Sequence, residues 1–307
     1  MVYNIGEYIK ARRIELGISQ DELASNICTQ ATLSRIENGE RIPSKETAAA
    51  LLQRLGLSGA ELMLADSAES LILHKLKFDI RQAYISGDYR KSEKILSENK
   101  ELISKLSPTD KQTFETIDTL LRISRSEFSD EEALSRLEAA IRLTCPKYTK
   151  NTPPAFFTYE EILLLNNIAL LYAKLGDMET AINLLYHIKN FYDRLVCDIE
   201  EALRTEPMIL YNLSKFLGLS KKYTECISVC EEGIKLATET GKCPCLPQTY
   251  YNLAWSSYYR NRPGDRVASQ EYLKQAYHGA KFMMREVSAE KYAQRLKEWF
   301  NIDVDLL

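Results

Sequence analysis

The chain has 307 residues, of which 45% are hydrophobic and 27% are charged, which is enough apolar material for one extended domain or two compact ones. A net charge of −3 excludes a general basic field, so contact with nucleic acid would need a local patch. Because no apolar run approaches the roughly 20 residues of a membrane span and the N-terminus lacks signal-peptide features, a cytoplasmic protein without membrane contact is expected.

Helical patterning runs through nearly the whole chain. Only 12 glycines and 9 prolines interrupt it, and no alternating run rich in valine and isoleucine appears. Apolar residues instead recur at the three- and four-residue spacing of helices. The protein is therefore predicted to be all-α.

The first forty residues predict three short helices. The first ends at Gly17. Ser19 is placed to cap the second, with Glu22 at the capping-box position, and Thr29 is placed to cap the third, which stops at Gly39. Two short helices separated by a tight turn are typical of a helix-turn-helix.

The third helix has a polar front that suits the major groove of DNA. Leu33 and Ile36 face inward, while glutamine and arginine in front can read base edges and threonine or alanine can contact a thymine methyl group. Gln20, Arg41 and Lys45 are predicted to contact phosphates. The predicted DNA-contacting residues are Gln20, Thr29, Gln30, Ala31, Thr32, Ser34, Arg35, Arg41 and Lys45. The alternative is a small helical bundle with a solvated polar face.

The segment ISQDELASNICTQATLSRIENGERIPS resembles the helix-turn-helix of the Xre/Cro repressor class, through its SRIENG core and the LG-x-SQ motif that leads into it. Between Leu23 and Ser34 it is one residue shorter than the usual pattern, and Cys28 stands where a turn glycine is common. This short version is similar to the peptide-responsive PlcR-like regulators, often grouped as the RRNPP family. Residues 1–66 are therefore predicted to form the DNA-binding domain, followed by a linker helix at 67–76.

Residues 77–307 carry a weak repeat. Five segments combine a turn with a helix that has a small residue early, and these small residues are spaced by 41 to 48 positions. They are Ser92, Ala133, Ala181, Cys226 and Ala268. The pattern predicts a tetratricopeptide-like α-solenoid for peptide sensing and dimerisation, with residues 287–307 as a C-terminal capping helix.

The concave face of such a solenoid usually binds an extended peptide. Three asparagines fall at the same place in successive repeats, and an amide side chain can both donate to and accept from a peptide backbone. The predicted peptide-binding residues are Asn167, Asn212, Asn252, Tyr211, Lys215, Tyr251 and Trp255. The alternative is that the asparagines only hydrogen-bond neighbouring helices.

No enzymatic or metal chemistry is predicted. Four thiols that could form a zinc site are present at Cys226, Cys230, Cys243 and Cys245. Their spacing is not the usual one for zinc, so core packing is favoured over metal binding. A redox role for Cys243 and Cys245 is a minor alternative. No nucleophile–base set or phosphate-binding loop appears, so no catalytic residue and no cofactor are expected.

These features favour a homodimeric transcriptional regulator that binds a roughly palindromic double-stranded DNA operator. The resemblance to the PlcR-like family implies control by a short, imported signalling peptide, as in quorum sensing. Two alternatives remain. One is a helix-turn-helix repressor whose repeat domain binds a protein partner and not a free peptide. The other is a role like that of the family's phosphatase relatives, although these lack the DNA-reading domain.

Overall fold

The computed structural model describes residues 5–55, 68–153, 157–193, 199–241 and 244–304. These residues form sixteen α-helices and no β-strand, with one isolated β-bridge between Thr149 and Thr152. The all-α prediction is confirmed. The chain divides into two compact units, residues 1–105 and 106–307.

The first unit contains seven of these helices. They are α1 (Ile5–Glu15), α2 (Gln20–Ala24), α3 (Gln30–Glu37), α4 (Lys45–Arg54), α5 (Ala68–Ile85), α6 (Tyr89–Glu98) and α7 (Lys100–Ser104). The second unit contains nine. They are α8 (Pro108–Ser124), α9 (Asp130–Arg142), α10 (Tyr159–Lys174), α11 (Met178–Tyr192), α12 (Ile199–Leu219), α13 (Tyr223–Thr240), α14 (Leu246–Arg260), α15 (Asp265–Phe282) and α16 (Glu286–Phe300).

The predicted helix caps are present. The Ser19 side chain accepts from the backbone N–H of Glu22 at 3.2 Å, and the Glu22 carboxylate accepts from the backbone N–H of Ser19 at 2.8 Å. The Thr29 hydroxyl accepts from the N–H of Thr32 at 3.2 Å. Each cap satisfies backbone donors that the first turn of a helix leaves without a partner. The starts of α2 and α3 are therefore defined by local hydrogen bonds.

Helices α1 and α4 pack closely against the two helices of the helix-turn-helix. Arg54 of α4 donates to three backbone carbonyls at the end of α2, including that of Ser25 at 2.6 Å. Gly6 of α1 lies directly on the backbone of α3, where an added Cβ atom would stand 1.7 Å from the carbonyl oxygen of Ile36. The absence of a side chain at Gly6 is what lets α1 and α3 approach this closely.

The division of the chain differs from the predicted one. Helix α5 continues to Ile85, so the predicted boundary between residues 76 and 77 falls inside it. The predicted start of the linker at residue 67 lies outside the described residues. The first compact unit therefore holds the helix-turn-helix, the linker helix and the first predicted repeat segment.

The second unit has tetratricopeptide-like stacking. Each helix packs on the next one in the chain, and α8, α10, α12 and α14 also contact each other in succession. Small residues at the helix crossings allow this. Ala133, Ala181 and Cys226, three of the predicted small positions, are fully buried in its core, and Ser92 is equally buried in the first unit. Helix α16 packs on α15 through its buried apolar stripe, as predicted for a capping helix.

The fifth predicted small residue was wrong by one position. Ala268 is half-buried, whereas Ser269 is fully buried and donates to the carbonyl of Ala254 at 2.7 Å. The small residue stands four positions after the turn aspartate, as Ala181 does after Asp177. In the fifth segment that aspartate is residue 265, which places the close contact at Ser269.

Replacement of Gly6 tests the close approach of α1 and α3. Gly6→Ala is expected to lower the free energy of unfolding by about 1–3 kcal/mol or more, because the new methyl group overlaps a backbone oxygen that cannot move independently. Chemical unfolding followed by circular dichroism measures this. The matched control is Gly233→Ala in α13, whose Cβ would lie at ordinary distances of 3.6–3.8 Å from its neighbours. That control should be neutral or slightly stabilising, and equal losses in both variants would contradict the explanation.

Candidate nucleic-acid interface and ligand cavity

Helix α3 presents a short polar front. Gln30, Ala31 and Arg35 are exposed, and Thr32 and Ser34 are half-buried. On the opposite side Leu33 and Ile36 are fully buried. Within the described part of the chain the Arg35 guanidinium has no hydrogen bond or ion pair, so it remains available to an external acceptor. This is the arrangement that a helix needs to read base edges from the major groove.

A buried carboxylate anchors α3 to the two preceding helices. The Glu37 side chain accepts from Arg13 of α1 through Nε at 2.6 Å and Nη2 at 2.9 Å, and from Gln20 Nε2 of α2 at 2.7 Å. The Glu37 side chain has no exposed surface, and that of Arg13 retains 12%. Arg13 also donates to the backbone carbonyl of Ile18 at 2.9 Å. One buried charge therefore connects helices α1, α2 and α3.

Arg13 and Glu37 each favour the charged form of the other. Burial raises the pKa of the Glu37 carboxyl, but the hydrogen bonds from Arg13 and Gln20 and the Arg13 charge lower it, with the pKa finally below its ordinary value of 4.5. The hydrogen bond to Glu37 correspondingly raises the pKa of Arg13. Bidentate contact with a guanidinium is the geometry in which a buried carboxylate stays ionised. Glu37 is therefore charged at neutral pH.

Gln20, predicted to contact a phosphate, also takes part in hydrogen bonds within this unit. Its amide nitrogen donates to Glu37, and its Oε1 accepts from Gln30 Nε2 at 3.4 Å. A chain of hydrogen bonds thus runs from Arg13 through Glu37 and Gln20 to Gln30. The chain supports Gln30, which stands at the front of α3.

The other predicted DNA-contacting residues are placed as follows. Thr29 is the exposed cap of α3, and its hydroxyl lies 2.9 Å from that of Thr32. Arg41 is exposed after α3. Lys45 begins α4, but its side chain lies outside what the structure describes. Neither Arg13 nor Glu37 was singled out from the sequence, although Glu37 follows Leu33 by four residues and so falls on the buried stripe of the helix.

The second unit contains a cavity of about 450 Å³ between α12, α14 and α16. Its walls combine aromatic rings with amides, hydroxyls and cations. The lining residues are Tyr211, Ser214, Lys215, Gly218, Leu219, Gln248, Tyr251, Asn252, Trp255, Ser256, Ser288, Lys291, Tyr292 and Arg295. This volume and mixed lining are typical of a ligand-binding site.

Five of the seven predicted peptide-binding residues line this cavity. They are Tyr211, Lys215, Tyr251, Asn252 and Trp255. Asn252 donates to Ser214 Oγ at 3.0 Å.

The remaining two asparagines are not among the residues that line this cavity. Asn212 is 6% exposed and donates to Asn166 Oδ1 of the neighbouring helix α10 at 2.8 Å. Asn167 is half-buried and donates to the carbonyl of Leu163 in its own helix at 2.8 Å. The packing alternative therefore fits Asn212, while Asn252 combines a packing hydrogen bond with a place in the cavity wall.

The cavity includes a wall that was not predicted from the sequence. Helix α16, predicted only as a cap, contributes Ser288, Lys291, Tyr292 and Arg295. The available signal was the spacing of two cations, Lys291 and Arg295, which places them on one helix face. Gln248, at the start of α14, was also missed, and its buried Oε1 has no hydrogen-bond partner among the described residues.

The cysteines are not arranged as a metal site in the part of the chain that is described. Cys226 and Cys230 are fully buried, with their sulfur atoms 3.9 Å apart. Cys245 is half-buried, and burial raises its pKa. Cys243 lies outside the described residues. No group of three or more metal-ligating side chains is found among the residues searched, and none of the helices searched is both long and apolar enough to cross a membrane.

Comparison with known families gives two matches. A helix-turn-helix model matches residues 9–62, and the model of the RNPP family C-terminal domain matches residues 131–294. The first match contains α2 and α3, and the second contains every lining residue of the cavity except Arg295. No curated protein matches the chain.

Solved structures match over nearly the full length. Bacillus thuringiensis PlcR in complex with the peptide PapR7 and DNA is 19% identical, with 94% of this chain and 98% of that chain covered and a TM-score of 0.64. The apo form of that PlcR is 18% identical, with 95% and 98% covered and a TM-score of 0.60. The Streptococcus dysgalactiae SHP pheromone receptor Rgg2 is 15% identical, with 96% and 99% covered and a TM-score of 0.50. At these identities the likeness is one of fold.

The Glu37 carboxylate makes the stability of the α1–α3 region depend on pH. Glu37→Gln is expected to lower the free energy of unfolding by about 3 kcal/mol at neutral pH, because Arg13 loses its buried counter-charge. A carboxyl whose pKa is depressed on folding contributes stability above its unfolded pKa, near 4.5, and that contribution is lost as pH falls through the folded value. Urea unfolding at pH values above and below these pKa values should therefore show that the free energies of unfolding of the wild-type protein and of Glu37→Gln converge at acidic pH.

The exposed Glu40 provides the control for this measurement. Glu40→Gln removes the same charge close to α3 without removing a buried ion pair, and it should change stability by less than about 0.5 kcal/mol. A Glu37→Gln penalty that persists unchanged in acid would contradict the role of its charge.

Proposed function

The chain belongs to the RNPP family, whose C-terminal domain model covers more than half of it, and we propose that it is a sequence-specific DNA-binding transcriptional regulator controlled by a short signalling peptide. The sequence-based resemblance to this family is thereby confirmed. The proposal assigns DNA to the front of α3 and the peptide to the cavity between α12, α14 and α16.

One observation carries the proposal. The exposed polar front of α3 includes an Arg35 guanidinium that has no partner among the described residues, and the buried Glu37 network holds this front on α1 and α2, while the same chain contains a ligand-sized cavity in its repeats. PlcR, which shares this fold, was crystallised with both a peptide and DNA. This supports assigning both kinds of ligand to the present chain.

The proposed mechanism is a shift between dimer geometries. A homodimer presents two recognition helices to a roughly palindromic operator, whose half-sites are spaced by about one helical turn, near 34 Å, or a multiple of it. The peptide changes DNA affinity only if it binds one geometry more tightly than another. No catalytic step is needed, and we place this activity in the cytoplasm.

DNA binding by the purified protein tests the proposal. We expect it to bind DNA from upstream of its own gene, and we expect the affinity to change when low-molecular-weight extract from the culture medium of producing cells is added. Fluorescence anisotropy with labelled DNA measures this change. Protease treatment of the extract is the control, because it should abolish the effect if the effector is a peptide.

Two results would contradict parts of the proposal. A protein that binds no operator would remove the DNA-reading role. Binding that ignores an extract shown independently to contain small peptides would instead favour a protein partner for the repeat domain, which a pull-down with the full chain would then identify.

The two arginines beside the recognition front should have separable roles. Arg35→Ala is expected to reduce discrimination between operator and mismatched DNA by about 1–3 kcal/mol, because a guanidinium at the front of α3 reads base edges. Arg41→Ala is the matched comparison. It should weaken binding to all sequences alike and lower the slope of log K against log salt by about one, as expected for a phosphate contact. Unchanged sequence preference in Arg35→Ala would remove it from the base-reading residues.

A further inference from the structure

The cavity in the second unit is lined by cations without matching acids. Lys215 enters it from α12, and Lys291 and Arg295 enter it from α16. The lining residues that the structure describes include no aspartate or glutamate. Such a wall has a local positive potential although the chain as a whole carries a net charge of −3.

The two lysines are not neutralised by their surroundings. The Nζ atom of Lys291 lies 4.6 Å from the centre of the Tyr251 ring, and that of Lys215 lies 5.9 Å from the centre of the Phe216 ring. Neither lysine forms an ion pair with any residue described in the structure. Arg295 differs, because its guanidinium contacts the carboxylate of Glu298 at 2.5 Å. The cavity therefore retains about two uncompensated positive charges.

The like charges affect one another. Burial lowers the pKa of Lys291, and the nearby charges of Arg295 and Lys215 lower it further. An ammonium group placed among other cations is stabilised when an anion enters. A negatively charged ligand group in the cavity would relieve this repulsion.

The remaining wall surface suits the rest of a peptide. The Tyr251 and Tyr292 rings stack with their centres 4.8 Å apart, and Trp255 lies beside Tyr251 at 6.2 Å. These rings offer apolar surface for a side chain. No described residue donates a hydrogen bond to the buried Oε1 of Gln248, so a ligand N–H group would satisfy it.

We propose that this cavity selects peptides that carry a carboxylate, which binds to Lys215, Lys291 and Arg295 while a neighbouring apolar or aromatic side chain packs on Trp255. The inference rests on the proposed function, since it names the chemistry of the ligand at that same site. The carboxylate can belong to the C-terminus of the peptide or to an aspartate or glutamate side chain. The two sources are distinguished by the probes used.

The two tryptophans of the chain provide the readout. They are Trp255, in the cavity wall, and Trp299, outside the lining residues. The full-length Trp299→Phe variant therefore carries a single tryptophan, whose fluorescence reports the cavity directly. Unchanged circular dichroism confirms that the variant is folded.

Three pools of N-acetylated hexapeptides are the probes, all built from the same mixture of alanine, leucine, phenylalanine, serine and asparagine. The first has amidated C-termini and no charge. The second has free C-terminal carboxylates. The third has amidated C-termini and one glutamate per peptide. At least one of the two acidic pools is expected to bind about tenfold or more tightly than the neutral pool, and the better pool identifies the source of the carboxylate.

Replacement of the cavity lysines tests the assignment. Lys215→Gln and Lys291→Gln should each lower affinity for the favoured acidic pool several-fold while leaving the neutral pool unaffected. Lys235→Gln is the matched control, because this lysine lies on α13 outside the cavity lining and pairs with Glu239 at 3.8 Å. It should bind all pools as the parent variant does.

The outcomes separate this inference from the proposed function. Equal binding of all three pools would overturn charge selection while leaving peptide binding in the cavity intact. Failure of every pool to bind the folded protein would overturn charge selection and also remove the cavity as the peptide site. In that case an effect of culture extract on operator binding would still support control by a peptide bound elsewhere.

Discussion

The carboxylate of Glu37 is buried within the first unit, and a buried charge is tolerated only when other groups compensate it. Arg13 brings a guanidinium from α1, and Gln20 brings an amide from α2. The three short helices are thereby held to one mutual orientation, because moving any one of them would remove at least one of the hydrogen bonds that compensate this charge. The amide of Gln30, at the front of the recognition helix, is oriented through the same hydrogen bonds. The stability of this unit and the geometry of the proposed DNA-reading front thus depend on the same atoms.

The second unit uses regular packing to build an irregular site. Small buried residues let its helices approach closely. Each of three helices then directs two residues, one helical turn apart, into the same cavity. Each wall contributes a pair at that spacing, and these pairs are Tyr211 and Lys215, Tyr251 and Trp255, and Lys291 and Arg295. Aromatic surface and positive charge therefore reach the cavity from three helices at once. A ligand that contacts all three walls would link helices that are far apart in sequence.

The sequence was most informative where structure is determined locally. The caps at Ser19 and Thr29 depend on residues three positions away, and both were predicted correctly. The contact between Arg13 and Glu37 spans 24 residues, and no local pattern connects its two ends. The asparagine prediction shows the same limit, since similar repeat positions place Asn252 in the cavity wall and Asn212 in the core. The α16 wall was missed because the sequence indicates that a terminal helix covers the core without indicating which side chains its edge presents.

The place of α16 in the chain has a consequence for biosynthesis. Domains acquire structure progressively as a chain leaves the ribosome. The α12 and α14 walls are made before α16, so the cavity lacks its third side until Arg295 has emerged and α16 has packed on α15. The helix-turn-helix is complete long before that point. A nascent or prematurely terminated chain would thus possess its helix-turn-helix but not its full cavity, and translation itself sets the order in which the two proposed sites are completed.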